Sequence, residues 1–450
     1  MPAHDPPPLP LSIQPLATLS PPSTLRAWMT APHPTQPLAA TASSDKSVRV
    51  YSLATFQLAA TIGGGHKRSV RAAAWRPAAG STGETVLATG SFDASAAIWK
   101  RWERDAVAGM RGRGEVDFGL GEDEEEEDEE EWRFAVVLDG HESEIKSVAW
   151  NADGRYLATC SRDKSVWVWE WLDEGGGDDN FETVAVLQDH EGDVKCVAWH
   201  PLEDLLASAS YDDMIRLYRE DIDDWVCCAA LKGHDSTVWW VSFEPVGAMD
   251  VLWKGVDGGG LSEQLRRLKE DRERAGPRLV SCSDDLTIRI WKRRLKEKEQ
   301  LPTGQGRMPS ILRTNSIEED WYEDARLPQR HERAIYAVSW SERSGLIVSS
   351  GSDGKIVVYK EMIKPQSPAT TDNAMEHDAM NGDTNDANST EWTVVAELEG
   401  AHDVYEVNHV TWTRRRDKNK SSEDEEIIIS TGDDGEVKLW TIRASDTKST

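Results

Sequence analysis

The sequence predicts an all-β fold assembled from seven copies of one β-sheet unit, and three observations support this. A turn-and-strand motif occurs seven times, a strand that starts near a histidine precedes most copies, and the copies follow at repeat-like intervals. In the motif, Ser or Gly and an Asp two residues later suit a tight turn, and β-branched and aromatic residues then favour a strand. The copies read "SSDKSVRVY" (43–51), "SFDASAAIW" (91–99), "SRDKSVWVW" (161–169), "SYDDMIRLY" (210–218), "SDDLTIRIW" (283–291), "GSDGKIVVY" (351–359) and "GDDGEVKLW" (432–440).

The spacing of these copies fits sheets of four strands. The intervals between the motif aspartates are 48, 70, 49, 73, 68 and 81 residues. The two shortest are near the roughly 40–45 residues of a four-stranded propeller blade, and the longer ones indicate blades with insertions. The preceding strands follow a His and end in Trp or Phe, as in "GHESEIKSVAW" (140–150) and "GHDSTVWWVSF" (233–243). With these features the chain resembles the WD-repeat family, and seven repeats imply a seven-bladed β-propeller.

The propeller is expected to occupy residues 12–444, between a disordered N-terminus (1–11) and a tail (445–450). The segment "SIQPLATLS" (12–20) should supply the outer strand of blade 7, which would close the ring and remove exposed sheet edges. Blade 1 departs from the pattern, because Pro32 stands where other blades have Trp.

The long insertions all fall on one predicted face. We name the strands of a blade a to d; the a–b and c–d connections lie on one face (the bottom), and the d–a and b–c connections on the other (the top). Loops accept insertions where nothing has to dock, so the short-looped top is the predicted binding surface. Within the insertions, "LSEQLRRLKEDRERAG" (261–276) has a helix-forming composition that ends in Gly. The insertions are 101–131, 170–180, 246–277, 293–319, 361–390 and 413–426.

The resemblance also implies a structural role for the recurring histidines. In WD-repeat blades a His, a Ser or Thr, the turn Asp and the Trp of strand c form a hydrogen-bonded chain that satisfies buried polar groups. A His beside an Asp would also suit a catalytic dyad, but this set recurs from blade to blade, whereas an active site would occur once. Blades 4 and 6 carry Tyr218 and Tyr359 in place of Trp, so their chains are expected to be incomplete. The matching residues are His141, Thr159, Asp163 and Trp169 in blade 3, and His234, Ser281, Asp285 and Trp291 in blade 5.

Two positions in each blade are expected to reach the top rim. One precedes the turn Asp, and the other follows the first apolar residue of strand a. Basic residues at these positions gather in blades 2–4, beside aromatic residues in blades 1, 5 and 6. They suit an acidic peptide with an aromatic or large apolar anchor, or a free C-terminal carboxylate. The alternative is that exposed positions are filled at random. The predicted partner-binding residues are Trp28, Arg71, Lys146, Arg162, Lys195, Tyr211, Trp239 and Tyr336.

Composition argues against several other classes of protein. The formal charge is -29, and the acidic run 122–131, which should be a solvated loop, supplies ten of these negative charges. The remaining charge of -19 still argues against a nucleic-acid binder, which needs a basic footprint. Five cysteines without a C-x-x-C pair predict buried thiols rather than disulfides. We expect no signal peptide, membrane span, metal ion or cofactor. The stretch "GGGHKRS" (63–69) lacks the spacing of a phosphate loop, and no catalytic set occurs outside the repeating framework, so an enzyme is not expected.

Longer runs carry a closer resemblance. They are "TCSRDKSVWVWE" (159–170), "SASYDDMIRLYREDIDDWVCCAALKGHDSTVW" (208–239) and "HERAIYAVSW" (331–340). In these runs the chain is similar to the WD-repeat subunits of the cytosolic iron–sulfur protein assembly machinery of fungi.

This resemblance implies a non-catalytic scaffold that acts in cytosol and nucleus, as one copy within a hetero-complex. The implied partners are other subunits of the iron–sulfur targeting complex, an iron-only-hydrogenase-like carrier protein and apo iron–sulfur client proteins. A client tail that ends in an acidic residue and an aromatic would suit the predicted top face. The alternatives are another WD-repeat peptide-binding adaptor, such as a ubiquitin-ligase substrate receptor or a chromatin reader, and a propeller enzyme.

Overall fold

The protein, described here as a computed structural model, consists of seven antiparallel β-sheets of four strands each. In six of them the strands pair in chain order, so that strand a is innermost and strand d outermost. The seventh sheet takes its outer strand from the other end of the chain. The structure describes residues 9–77, 84–102, 132–172, 180–222, 224–254, 262–294, 317–364 and 389–445.

The first three blades each contribute four consecutive strands. Blade 1 contains β2 (Ala27–Pro32), β3 (Leu38–Ser43), β4 (Val48–Ser52) and β5 (Leu58–Ile62). Blade 2 contains β6 (Val70–Trp75), β7 (Glu84–Ser91), β8 (Ser95–Trp102) and β9 (Arg133–Asp139). Blade 3 contains β10 (Ile145–Trp150), β11 (Tyr156–Ser161), β12 (Val166–Leu172) and β13 (Asn180–Leu187).

The remaining blades continue this order to the end of the chain. Blade 4 contains β14 (Val194–Trp199), β15 (Leu205–Ser210), β16 (Ile215–Asp221) and β17 (Asp224–Leu231). Blade 5 contains β18 (Val238–Phe243), β19 (Leu279–Ser283), β20 (Ile288–Arg294) and β21 (Asp320–Arg326). Blade 6 contains β22 (Ile335–Trp340), β23 (Ile347–Gly351), β24 (Ile356–Ile363) and β25 (Thr390–Leu398). Blade 7 contains β26 (Val407–Arg414), β27 (Glu426–Gly432), β28 (Val437–Ala444) and the N-terminal β1 (Leu11–Thr18).

The blades form a closed ring. Each innermost strand contacts the innermost strand of the next blade, from β2 through β6, β10, β14, β18, β22 and β26 and back to β2. Strand β1 pairs antiparallel with β28, so both ends of the chain complete blade 7 and the predicted ring closure is confirmed. Pro15 lies next to the register break of this outer strand, and sheet edges and bulges are the positions where strands tolerate a residue without an N–H.

Burial follows the position of each strand in its blade. The b strands are covered on both faces by neighbouring blades, and β11 and β15 are buried at every residue. Their sequences are accordingly continuous runs of small and apolar residues rather than alternating ones. Outer strands such as β9 are largely exposed. The hydrophobic core is therefore divided among the interfaces between blades.

The insertions contain one α-helix among the described residues, α1 (Glu263–Ala275). The Ser262 side chain accepts the backbone N–H of Leu265 at its start, and Gly276 ends it at a φ of 78°. This confirms the helix predicted from the sequence. Leu268 and Ala275 are the buried residues of the helix.

Several strands extend further than the predicted insertion boundaries allow. Strands β8, β20, β24 and β26 each continue past the predicted start of an insertion, because their ladders with neighbouring strands continue there. The interiors of the insertions after β8, β20 and β24, the acidic run 122–131, residues 1–8 of the predicted disordered N-terminus and residues 446–450 lie outside the described residues. The insertion after β26 is described, and within it Arg415 pairs with Asp417 and Glu425. In the described part of the chain, no helix has the length and apolar character needed to cross a membrane.

Candidate partner-binding site

Strand a of every blade has a β-bulge at its second residue. In blade 3, for example, Ile145 pairs with Ser161 and Ser147 with Cys160, so Lys146 has no partner in the ladder. A bulge leaves its residue unpaired and redirects the side chain. All seven bulge residues line one cavity at the top of the central channel: Trp28, Arg71, Lys146, Lys195, Trp239, Tyr336 and Asn408.

This top cavity has a volume of about 260 Å³ and is also lined by Arg26, Phe92 and Glu406. Two rings obstruct the channel one residue further along their strands. Trp240 of blade 5 and His409 of blade 7 meet edge-to-face with ring centroids 4.8 Å apart. The Trp240 side chain also packs against three hydrophobic clusters, which lie in blades 1–3, in blades 4 and 5, and in blades 5 and 6. We therefore describe the top cavity as a pocket on the top side of these two rings.

Arg71 brings a positive charge into this pocket. Its guanidinium lies 4.9 Å from the centre of the Trp28 ring, and that of Arg26 lies 4.8 Å from the same ring. Arg26 forms an ion pair with Asp433 at 2.6 Å, whereas Arg71 has no hydrogen bond or ion pair within the described residues. Burial lowers the pKa of Arg71 to about 10, so it remains positive at neutral pH. The pocket therefore holds a guanidinium whose donors are available to an anion.

The lysines of the basic arc are partly neutralised. Lys146 Nζ lies 2.9 Å from a Glu144 carboxylate oxygen, and Lys195 Nζ lies 3.3 Å from one of Asp193. Each ammonium also lies over an aromatic ring: Lys146 is 4.4 Å from the centre of Phe92. The charge of the predicted basic arc is therefore reduced by the residue that precedes strand a. That position carries Glu144 in blade 3 and Asp193 in blade 4, and it was visible in the sequence.

The aromatic side of the pocket is held by hydrogen bonds to carboxylates. Trp239 and Tyr336 pack edge-to-face with centroids 5.1 Å apart. Trp239 Nε1–H donates to Asp284 at 2.5 Å, and the Tyr336 hydroxyl donates to Glu406 at 3.2 Å. Burial, assisted by the Glu406 charge, raises the pKa of Tyr336 to about 12. Both rings are thus fixed in place before any ligand arrives, which lowers the entropy cost of binding.

Two of the predicted partner-binding residues do not line the pocket. Arg162 lies on the rim with 59% of its side chain exposed, and its Nη1 is 3.6 Å from Glu144. Tyr211 is also exposed, with Lys195 Nζ 5.4 Å from its ring centre. Although burial opposes it, the Lys146 hydrogen bond and the charge of Arg162 lower the pKa of Glu144. Both residues are therefore connected to the pocket through one of its lysines: Arg162 through Glu144, which pairs with Lys146, and Tyr211 through Lys195.

The repeating framework lies beside the pocket, in the top halves of the blades. His141 Nδ1 is 2.8 Å from Asp163, its Nε2 is 2.9 Å from Thr159, and Trp169 Nε1–H donates to Thr159 at 3.0 Å. Hydrogen bonds from His141 and Ser165 hold the pKa of Asp163 well below its usual range, although burial acts against them. Blade 5 repeats the geometry: the distances are 2.8 Å for His234–Asp285, 2.7 Å for His234–Ser281 and 2.8 Å for Trp291–Ser281.

Blades 2 and 7 repeat this framework with Trp99 and Trp440, whereas blades 1, 4 and 6 vary it. His190 and His331 make the same His–Ser and His–Asp contacts in blades 4 and 6, where Tyr replaces Trp. Blade 1 has no such histidine, and Arg49 reaches Asp45 at 2.6 Å and Ser23 at 3.2 Å instead. The repetition of one network with local substitutes supports a structural role for these His–Asp pairs.

We predict that His141→Ala lowers the free energy of unfolding by about 2 kcal/mol. The substitution removes two side-chain hydrogen bonds, each contributing about 0.5–1.5 kcal/mol, and leaves Thr159 and Asp163 with fewer partners. Urea denaturation followed by tryptophan fluorescence would measure the loss. Arg155→Ala, which removes an exposed ion pair with Glu170, serves as the control. An equal, small effect of both substitutions would contradict the framework role.

The described residues contain no group of three or more His, Cys, Asp or Glu side chains arranged to hold a metal ion. All five cysteines are free thiols, and four of them are buried. Burial raises the pKa of Cys196 to about 12, which keeps this thiol protonated at neutral pH.

The ring of bladed sheets and its recurrent His–Ser/Thr–Asp network define a WD-repeat β-propeller, a class in which the fold is typically non-catalytic. The family model described as "WD domain, G-beta repeat" matches residues 132–170, 181–219, 273–292 and 326–360. A relative from Phaeosphaeria nodorum is 56% identical over 440 residues, which cover 97% of each chain. One from Aspergillus flavus is 54% identical over 95% of this chain and 97% of its own, and one from Penicillium rubens is 50% identical over 96% and 99%. All three are named "Probable cytosolic iron-sulfur protein assembly protein 1". The chain belongs to this family of cytosolic iron–sulfur protein assembly proteins.

Proposed function

We propose that the protein is a non-catalytic scaffold of the cytosolic iron–sulfur cluster assembly and targeting machinery. The observation that carries this proposal is the identity of 50% or more, over nearly the whole chain, to relatives named for that assembly process. In this role the protein holds assembly factors and client proteins together, so that clusters made elsewhere reach extramitochondrial apo-proteins. A scaffold of this kind does not itself need to ligate a cluster.

The top pocket is the proposed site for a peptide segment of a partner or client. Arg71 would bind a carboxylate of that segment, since charge-assisted guanidinium–carboxylate bonds are strong and directional. The fixed rings of Trp239 and Tyr336 would pack against an aromatic or large apolar side chain. A client tail that ends in an acidic residue and an aromatic meets both requirements. The narrow pocket favours a chain end or a single side chain over a broad surface.

The proposed partners are other subunits of the iron–sulfur targeting complex, an iron-only-hydrogenase-like carrier and apo iron–sulfur clients. The protein would act as a single copy within this hetero-complex. The relatives are named cytosolic, and the proposal adds a nuclear pool that serves nuclear clients. Fluorescence microscopy of the tagged protein would test this second location.

Affinity purification of the tagged chain, followed by quantitative mass spectrometry, tests the proposed function. Enrichment of iron–sulfur assembly subunits over a tag-only control is the expected result. A matched sample from a strain that expresses an unrelated tagged WD-repeat propeller controls for non-specific capture by the fold. Recovery of ubiquitin-ligase or chromatin proteins without any assembly subunit would overturn the proposal.

We predict that Arg162→Ala leaves folding unchanged and weakens partner binding only a few-fold. The side chain is exposed and lies 3.6 Å from Glu144, so a partner contact there stays on the solvated rim. Such rim contacts contribute less than about 1 kcal/mol. Isothermal titration with purified assembly partners would measure the change, with Lys420→Ala, in an ion pair with Glu423 on the bottom of blade 7, as the control. Identical affinities for wild type and Arg162→Ala, for every partner, would remove Arg162 from the site.

A further inference from the structure

The bottom of blade 4 exposes two large aliphatic side chains on neighbouring loops. Leu202 is 62% exposed in the a–b connection, and Ile222 is 89% exposed in the c–d connection. Leu205 pairs with Arg219 where strands β15 and β16 meet these connections, so the two loops lie side by side. We name this surface, formed by Leu202, Glu220, Asp221, Ile222 and Asp224, the blade 4 corner.

The loop that carries Leu202 is fixed from several directions. The His200 ring accepts the Leu202 backbone N–H at 3.2 Å. Glu203 accepts from Arg219 of its own blade at 2.5 Å and from Arg293 of blade 5 at 3.0 Å. Asp204 accepts the side-chain amide of Asn151 of blade 3 at 2.9 Å. An exposed leucine on a loop this well anchored loses little freedom when a partner covers it.

Ile222 is held in an unfavourable conformation at the tip of a tight hairpin. Asp221 and Asp224 pair across the hairpin, and Ile222 between them has a φ of 57°. A β-branched residue at positive φ is an outlier that folding alone does not favour. Its side chain is left almost wholly in solvent. Strain that persists without a packing benefit points to a use of the side chain outside this chain.

The carboxylates around the two aliphatic residues define the charge of the partner. Glu220, Asp221 and Asp224 have no ion pair within the described residues, whereas Arg219 and Arg293 are neutralised by Glu203 and Glu319. The blade 4 corner therefore presents apolar tips within a net negative border. Such a border repels anionic lipid and nucleic acid, which favours a basic protein surface as the occupant.

The setting of the corner distinguishes it from the rest of the bottom face. Blades 2, 3, 5, 6 and 7 carry the long insertions there, whereas blade 4 keeps both bottom connections short. Blade 1 also has short bottom connections, but in the described residues its exposed large hydrophobic side chain, Leu25, lies on the top. Blade 4 thus combines an unobstructed bottom end with exposed aliphatic side chains.

We propose that the blade 4 corner is a docking site for a partner protein that presents a shallow apolar pocket bordered by Lys and Arg. Leu202 and Ile222 enter the pocket, and the basic border faces Glu220, Asp221 and Asp224. The site is separate from the top pocket, so one propeller binds a client segment on one face and an assembly partner on the other.

The test uses the purified assembly partners of the proposed function, on which it rests for its probes. Leu202→Asp combined with Ile222→Asp should weaken the binding of one partner more than about tenfold, as for an interface hot spot. Val404→Asp, an equally exposed aliphatic position on the top face, should leave that affinity unchanged. Higher salt should weaken binding of the wild type, because the border is charged.

A second variant separates docking from stability. Ile222→Gly relieves the positive φ, so it should raise the melting temperature while it weakens binding of the same partner. Equal affinity of wild type and both blade 4 variants for every partner overturns the docking site and leaves the proposed function standing. Absence of binding by the wild type overturns both. An effect of the variants on self-association alone, seen by analytical ultracentrifugation, also overturns the docking site.

Discussion

Arg71→Met is expected to weaken binding of an acidic peptide at the top pocket by about 2–5 kcal/mol, the cost of truncating one member of a buried charge pair. The physical reason is that Arg71 is the guanidinium of the pocket without a protein counter-charge in the described residues. Lys146 and Lys195 already face Glu144 and Asp193, so they have less to offer a ligand.

Fluorescence anisotropy with a labelled synthetic peptide that ends in Asp-Trp and a free carboxylate measures this loss. The same peptide with an amidated end and a peptide with Asn in place of Asp show which carboxylate Arg71 binds. Removal of a buried charge without a counter-ion should leave the unfolding free energy unchanged or higher, so weaker binding cannot be attributed to misfolding. An unchanged Kd for Arg71→Met would exclude Arg71 from the site.

Arg278→Met is expected to lower the free energy of unfolding by about 3–5 kcal/mol, because the buried Glu244 loses its ion-pair partner and the buried Glu361 keeps only Arg272. Arg278 has only 4% of its side chain exposed and lies 2.9 Å from both Glu244 and Glu361. Arg272 of α1 also pairs with Glu361, so the network ties the helix to blades 5 and 6. Urea denaturation measures the loss, and Arg267→Ala, in an exposed ion pair on the same helix, should change stability far less.

The same network has a defined pH dependence. Burial acts against it, but Arg278 and Arg272 hold the pKa of Glu361 well below its usual value near 4.3. A carboxyl whose folded-state pKa is lowered stabilises the protein above its unfolded pKa, and that stability is lost as the pH falls toward the folded value. In Arg278→Met, Glu361 keeps only Arg272 as its partner, so this carboxylate should gain a proton more readily than in the wild type. The stability difference between wild type and variant should therefore shrink as the pH falls from 7 toward 4; a constant difference would contradict the pairing.

Much of the fold is readable in the sequence because the unit repeats. Seven copies of the Asp turn in phase predicted seven blades, and "SIQPLATLS" (12–20) was placed correctly in blade 7. The second residue of strand a was also identifiable in each blade, although the β-bulge that turns it into the channel was not. A bulge depends on the pairing between two strands. The bulge residues, such as Trp28, Lys146 and Asn408, share no side-chain type from which the bulge could be predicted.

The parts that could not be predicted depend on contacts between residues far apart in the chain. Glu361 is 83 residues from Arg278 and 89 from Arg272, and no local pattern connects them. Likewise, the contact of Trp240 with His409 joins blades 5 and 7 across the channel. Glu144 and Asp193 are different, because each stands two residues before the lysine that it pairs with, so this proximity is readable in the sequence.

Cluster loading in cells depleted of this protein tests the central claim most directly. Radioactive iron incorporated into an immunoprecipitated cytosolic iron–sulfur enzyme would be counted beside that in a mitochondrial iron–sulfur enzyme of the same cells. The account predicts a loss of iron from the cytosolic enzyme, an unchanged signal from the mitochondrial one, and rescue by the wild-type chain. Normal iron incorporation into the cytosolic enzyme after depletion would contradict it.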